Sequence, residues 1–225
     1  MPKKIALLAA LLVLATPGGD PPVAERVAVF GDLAHTRHVA VVVPGSDVDG
    51  DRFDATVGRM ARALHAEVGR DDVAVVAWLG YRTPSGLGVD AATGRLARAG
   101  AASLARYVSG LPGRVHLVCH SYGSVVCALS GARVDDMVFL GSPGVRVRRA
   151  EELGTRVWAA RGAEDWTRWV PKIRFADLGH GTDPMDPAFG AMILDTGRAR
   201  EHDEYFKAGT ESLRALAKIA GGERP

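Results

Sequence analysis

Cysteine is scarce: Cys119 and Cys127 are the only two in 225 residues. Neither belongs to a Cys/His cluster with zinc-ligand spacing, so no metal site is expected. A disulfide needs Cα atoms within about 7 Å in the right orientation. The two cysteines fall on opposite sides of a strand-to-helix corner, and both are read as buried thiols. A bilayer-length apolar run is also missing. The longest at the N-terminus, Ile5 to Ala15, has eleven residues, or about 16 Å of helix against about 30 Å of hydrocarbon, so no stable membrane span is expected. Charge excess is lacking too. The formal charge of +2 becomes 0 without Lys3 and Lys4, and nothing asks for nucleic acid as a partner. Internal repeats and low-complexity tracts are absent. With 47% hydrophobic and 24% charged residues, what remains is one ordinary globular domain.

The start of the chain reads as a separate object. Lys3 and Lys4 precede the apolar run, and "TPGGDPP" ends it. This is the pattern of a secretory signal cut after Ala15, with no cysteine at the cut to take a lipid anchor. The expected organisation is a signal peptide over 1–15, a flexible linker over 16–25 and a single domain over 26–225. Secretion or a cell-envelope location follows from that reading.

Strand-like and helix-like patterns then alternate. "RVAVF" (Arg26–Phe30) and "HVAVVV" (His38–Val43) read as strands that pair with each other. Phe53, Val57, Met60, Leu64 and Val68 mark one stripe of a helix from about Asp51 to Val68. "VAVVAW" (Val73–Trp78) is apolar throughout, as a strand covered on both faces must be. A helix through Leu96, Leu104 and Val108 follows, ending near "GLPG". Strands are next expected at Val115–Cys119, Met137–Leu140, Arg156–Ala160 and Ala191–Leu194. Thr210 caps a closing helix that Gly221 terminates. This alternation predicts an α/β fold: a mainly parallel sheet with helices on both faces. Ligand chemistry in such sheets gathers at the carboxyl ends of the strands.

One such end carries "CHSYGS" (Cys119–Ser124). A tight strand–turn–helix corner lifts the Ser121 hydroxyl off the sheet and aims the backbone N–H of Tyr122 into the same space. A serine needs both a base and fixed donors for the developing oxyanion. Gly123 meets the demand for a small residue at the corner.

The hexapeptide resembles the nucleophile elbow of the α/β-hydrolase superfamily. "VVVPGS" (Val41–Ser46), "GSPG" (Gly141–Gly144), "VWAARGAEDW" (Val157–Trp166), "HGTDP" (His180–Pro184) and "HDEYF" (His202–Phe206) extend the likeness. They point to the mostly actinobacterial branch long known as a domain of unknown function, over roughly residues 39–219. Two positions depart from its pattern: Cys119 and Glu201 stand where glycine is usual. The superfamily order of serine, acid and histidine implies Asp165 as the acid and His202 as the base. The rivals for the acid are Glu164, Asp135, Asp136 and Asp177, and His180 is the alternative base or a pocket residue. His120 is expected to pack or hydrogen-bond locally, and His35, His38, His65 and His116 to be structural. In the loop "PGSDVDG" the backbone N–H of Ser46 is the second oxyanion donor that the resemblance implies.

"DVDGDRFD" fails as a calcium loop, because the sixth and twelfth places from Asp47 hold Arg52 and Gly58. Its carboxylates are expected at the positive end of the following helix. No large cap domain is expected, since only "GSPGVRVRRAEELGT" separates two late strands. Cover should come from Leu79–Gly88 and the stretch around Trp166 and Trp169, which line an acyl groove or belong to the core. Arg146, Arg148 and Arg149 are read as a solvated face. The expectation is a cofactor-free serine esterase working through an acyl-enzyme on a small-molecule or surface-bound acyl ester. Its alternatives are an amidase or thioesterase with the same groups, and a catalytically silent cell-envelope binding protein. The sequence does not speak to oligomeric state.

Overall fold

The computed structural model describes residues 25–86 and 88–225. The expected signal peptide, and the expected linker up to residue 24, lie outside the described residues. Seven strands form one sheet in the order β1-β3-β2-β4-β5-β6-β7. They are β1 (Arg26–Phe30), β2 (His38–Val43), β3 (Val73–Leu79), β4 (Arg114–His120), β5 (Asp136–Leu140), β6 (Arg156–Ala160) and β7 (Met192–Ile193). The helices are α1 (Val57–Val68), α2 (Val89–Ala92), α3 (Arg95–Ser109), α4 (Gly123–Ser130) and α5 (Glu211–Ala220).

Both faces of the sheet are covered, which is why β3 is apolar at every position and β2 is apolar after His38. In β2, Val39, Val41 and Val43 join a core with α3 and α4. The alternate residues Ala40 and Val42 join a second core with α1 and α5. Each fully buried valine contributes about 1.5–3 kcal/mol relative to exposure. A polar residue at any of these places would forfeit that and leave a group unsatisfied.

Strand β1 pairs antiparallel with β3, Arg26 opposite Leu79, and not with β2 as the sequence suggested. The reason is topological. Strand β2 is flanked on both sides by parallel partners, β3 and β4, so β1 meets only the free edge of β3. The remaining pairs are all parallel. The loops after β2, β4, β5 and β6 therefore open at the same end of the sheet.

Helix α5 has the expected cap, Thr210 accepting from the Leu213 N–H at 3.2 Å. Helix α1 begins at Val57, six residues later than expected, with no acid in its first turn. The nearby carboxylates act locally: Asp49 accepts from the Arg52 N–H at 2.9 Å and Asp54 pairs with Arg26 at 2.6 Å. Cys119 and Cys127 are not thiols but a disulfide, with Cα atoms 6.5 Å apart. The bend after His120 is sharp enough to fold α4 back along β4, which brings together residues that a gentler turn would have separated.

Residues 141–155 hold only a loop and one short 3-10 helix, Ala150–Leu153, so no cap domain stands between β5 and β6. The longer excursion is between β6 and β7. It carries the 3-10 helix Trp166–Trp169 and a tight hairpin in which Phe175 and Leu178 exchange two backbone hydrogen bonds at 2.9 Å. Arg146 overturns the expectation of a solvated arginine face. Its side chain is buried and donates at 2.7 Å to the Asp177 carboxylate and to the carbonyls of Asp177 and Gly179. Arg148 and Arg149 are exposed, as expected.

Candidate active site

Ser121 sits in the bend between β4 and α4 with φ of +53°; among the described non-glycine residues only Asp47 and Ala176 share a positive φ. A left-handed conformation costs a residue with a Cβ about 1–2 kcal/mol, and a strain of that kind persists where the surroundings over-determine it. Here two glycines hold the bend. A Cβ on Gly123 would lie 2.5 Å from the Pro44 carbonyl oxygen, and one on Gly45 would lie 2.5 Å from the Ser121 Cβ and 3.1 Å from its Oγ. The loop after β2 thus rests directly on the serine. Neither the Ser46 nor the Tyr122 backbone N–H has a hydrogen-bond partner among the described residues. Both residues line the space around Ser121.

Asp165 follows β6 and is fully buried. Its carboxylate meets His202 Nδ1 at 3.0 and 2.9 Å. It also accepts from the Thr167 backbone N–H at 2.8 Å, from the Thr167 hydroxyl at 2.7 Å, and from the Tyr205 hydroxyl. Burial alone would raise its pKa. The hydrogen bonds from His202, Tyr205 and Thr167 outweigh burial and hold the carboxyl well below the usual range. With Nδ1 donating to Asp165, Nε2 of a neutral His202 carries the lone pair, and His202 shares with Ser121 a cavity of about 490 Å³.

His120 packs against the His202 ring, centroids 4.6 Å apart. Its Nε2 donates to the His202 carbonyl at 2.8 Å, since a carbonyl only accepts. Burial, reinforced by the neighbouring His202, pushes its pKa down to about 4. His120 is therefore a neutral prop under His202, the local role expected for it. The rival acids are all engaged elsewhere. Glu164 pairs with Arg200, Asp135 with Arg114, Asp177 with Arg98 and Arg146, and Asp136 with His116 and Arg156. His180 is buried and donates from Nε2 to the Ala91 carbonyl at 2.7 Å. It faces a second, apolar cavity of about 460 Å³ that also reaches Ser121.

Gly141 was not singled out on its own in the sequence. It holds φ of +54°, and a Cβ there would stand 2.5 Å from Asp165 Oδ2 and 2.8 Å from His202 Nδ1. Tyr205 was likewise missed as a partner of Asp165. No local signal marks either residue, because both act on groups distant in the chain. Trp166 and Trp169 are not core. Trp166 lines both cavities and Trp169 stands in solvent.

A family described as Alpha/beta hydrolase matches residues 20–175 of this chain. The chain belongs to the alpha/beta-hydrolase family. Uncharacterized protein Rv0963c of Mycobacterium tuberculosis (strain ATCC 25618 / H37Rv) is 34% identical to this hydrolase-family chain over 216 residues, covering 84% of this chain and 78% of that protein. Uncharacterized protein Rv2079 of the same strain is 31% identical over 238 residues, covering 86% of this chain; the chain spans only 36% of that relative's length. Among solved structures, esterase PE8 superposes with a TM-score of 0.55 at 16% identity, covering 89% of this chain and 99% of that one. A predicted CIB-like hydrolase from Thermoplasma acidophilum gives 0.50 at 14% identity, covering 87% and 92%. At such identities the likeness concerns the alpha/beta-hydrolase fold alone.

Proposed function

We propose that this chain is a serine hydrolase that cleaves carboxylic esters through an acyl-enzyme. The observation that carries the reading is the strained bend that sets Ser121 into the cavity also lined by His202, whose ring the buried Asp165 holds. Ser121 Oγ attacks the ester carbonyl carbon while His202 Nε2 takes its proton. Asp165 holds the imidazole tautomer and stabilises the imidazolium. The N–H groups of Tyr122 and Ser46 receive the oxyanion, an interaction worth about 3 kcal/mol per donor in comparable sites. Collapse breaks the C–O bond, and the leaving alcohol takes the proton from His202. Water then repeats the sequence on the acyl-enzyme and returns the free acid.

The two cavities meet at Ser46, Ser121 and Trp166. The apolar one, walled by Val170, Pro171 and Ile173, suits the acyl chain. The other carries Asp47, Arg52, Arg59 and Asp203 and suits a polar alcohol portion. Export by the N-terminal signal is part of the proposal, with a mature chain that starts at Thr16.

Covalent labelling by a fluorophosphonate probe tests the chemistry. Wild type is expected to label, as is Ser124→Ala, whose hydroxyl is tied to the Cys119 carbonyl. Ser121→Ala is expected not to label. A folded wild type that stays unlabelled would leave the chain a binding protein on a silent scaffold.

A further inference from the structure

Five of the ten large apolar side chains that stand exposed among the described residues fall within residues 166–178. They are Trp166, Trp169, Ile173, Phe175 and Leu178, with Trp169, Ile173 and Phe175 exposed by 79%, 71% and 82%. All but Trp169 line the apolar cavity that ends at Ser121, and Trp169 directly precedes the wall residue Val170. Exposed apolar area gathered at the rim of one cavity marks an interaction surface.

The rim is held open by construction. Arg146 clamps the hairpin from beneath through Asp177 and Gly179. The Lys172 ammonium, its pKa drawn down to about 8 by burial and by Arg161, turns inward to the carbonyls of Thr167 and Pro143 at 2.9 and 3.1 Å. Phe175 and Ile173 therefore cannot relieve their exposure by folding in without breaking these buried bonds.

Charge selects the partner. Arg168 and Arg174 are exposed in the same segment, and neither is paired with an acid among the described residues. Of the acids nearest in the chain, Asp165 is fully buried against His202, Thr167 and Tyr205, and the others are paired: Glu164 with Arg200, Asp177 with Arg98 and Arg146, Asp183 with Arg161. Arg168 also lies over the Trp169 ring at 5.4 Å. Aromatic and aliphatic side chains flanked by uncompensated arginines are the arrangement that settles at the boundary of an anionic lipid layer. A lipid layer would both cover this rim and present ester-linked acyl chains at the mouth of the cavity.

We propose that residues 166–178 form a landing surface by which the enzyme docks on anionic lipid interfaces and draws ester lipids into the apolar cavity. This rests on the serine-hydrolase reading of Ser121 for its second half, though not for the docking itself.

The test is sedimentation of the mature chain with vesicles of non-hydrolysable ether lipids, zwitterionic or with one third anionic phosphatidylglycerol. Wild type and Ser121→Ala are both expected to bind the anionic vesicles and to bind the zwitterionic ones more weakly. Trp169→Ser is expected to lose about tenfold in binding. The double variant Arg168→Ser/Arg174→Ser is expected to lose about twentyfold, on the anionic vesicles only. In both, hydrolysis of a water-soluble acetate ester and probe labelling should match wild type, which shows the fold intact. Wild type that fails to sediment with anionic vesicles, or variants that bind as wild type does, would overturn the proposal. So would a dimer abolished by Trp169→Ser in the absence of vesicle binding, which would give this face to a second copy of the chain. Vesicle binding by a chain that never labels with the probe would keep the docking surface and remove the hydrolase.

Discussion

Replacing Gly141 by alanine should disable the proposed triad while leaving the protein folded. Two effects act at this position. The left-handed φ of +54° costs alanine about 1–2 kcal/mol of stability. The new Cβ would also sit 2.5 Å from Asp165 Oδ2 and 2.8 Å from His202 Nδ1. Non-bonded contacts to a Cβ do not fall below about 3 Å, so the pair must shift by about half an ångström or part. Misplacement near that scale costs a positioned catalytic group about 10²-fold, and complete loss of the acid's control over the histidine about 10⁴-fold. Gly154→Ala isolates the second effect, because Gly154 has φ of +64° and open space around its Cβ position. Gly154→Ala should lose only the backbone share in urea denaturation, and Gly141→Ala at least as much. Only Gly141→Ala should lose reactivity, by 10²- to 10⁴-fold in the rate of fluorophosphonate labelling. If Gly141→Ala reacts within twofold of Gly154→Ala, the Asp165–His202 contact does not govern the serine and the reasoning fails.

Two further outcomes follow from buried groups. His120 titrates near 4 in the fold and near 6.5 when unfolded. The unfolded chain therefore takes up the proton first, and stability falls as pH drops from about 6.5 to 4, by roughly 3 kcal/mol from this residue. Burial lowers the His180 pKa as well, which acts in the same direction. Asp165 and Asp136 are held below the carboxylate range, so their share is lost only at lower pH. The melting temperature of wild type should decline across this window, and more shallowly in His120→Phe; equal slopes would show that His120 does not bear the linkage. For the disulfide, a sequence separation of eight implies about 2–3 kcal/mol of stabilisation. Cys119→Ala/Cys127→Ala should lose that in denaturant, and denatured, unreduced wild type should show no thiol to a colorimetric reagent. Two reactive thiols would contradict the bond.

Most of the element order was legible because the signals are local. Strand β6 has the bounds that its apolar run suggested, and α5 has the expected cap and stop. The start of α1 was misjudged because the apolar stripe extends back to Phe53, which is buried but lies in a turn before the helix. The pairing of β1 was misjudged because neighbours in sequence need not be neighbours in a sheet, and β3 had the free edge. The serine's bend was visible from a strand pattern giving way to a helix across a glycine. The placing of acid and base rested on family resemblance, since nothing local separates Asp165 from Glu164 beside it.

What the sequence determined by itself, then, was the alternation of strand and helix, the two-sided burial of the sheet and the corner at Ser121. Each of these is written in residues within one or two turns of each other. Tertiary structure alone decided the rest. It joined Asp165 to His202, closed the disulfide across the bend and put Gly141 against that hydrogen-bonded pair. It turned Arg146 inward as a clamp and left the aromatics of 166–178 outside. All of these depend on distances between groups far apart in the chain, and such distances exist only once the sheet has assembled.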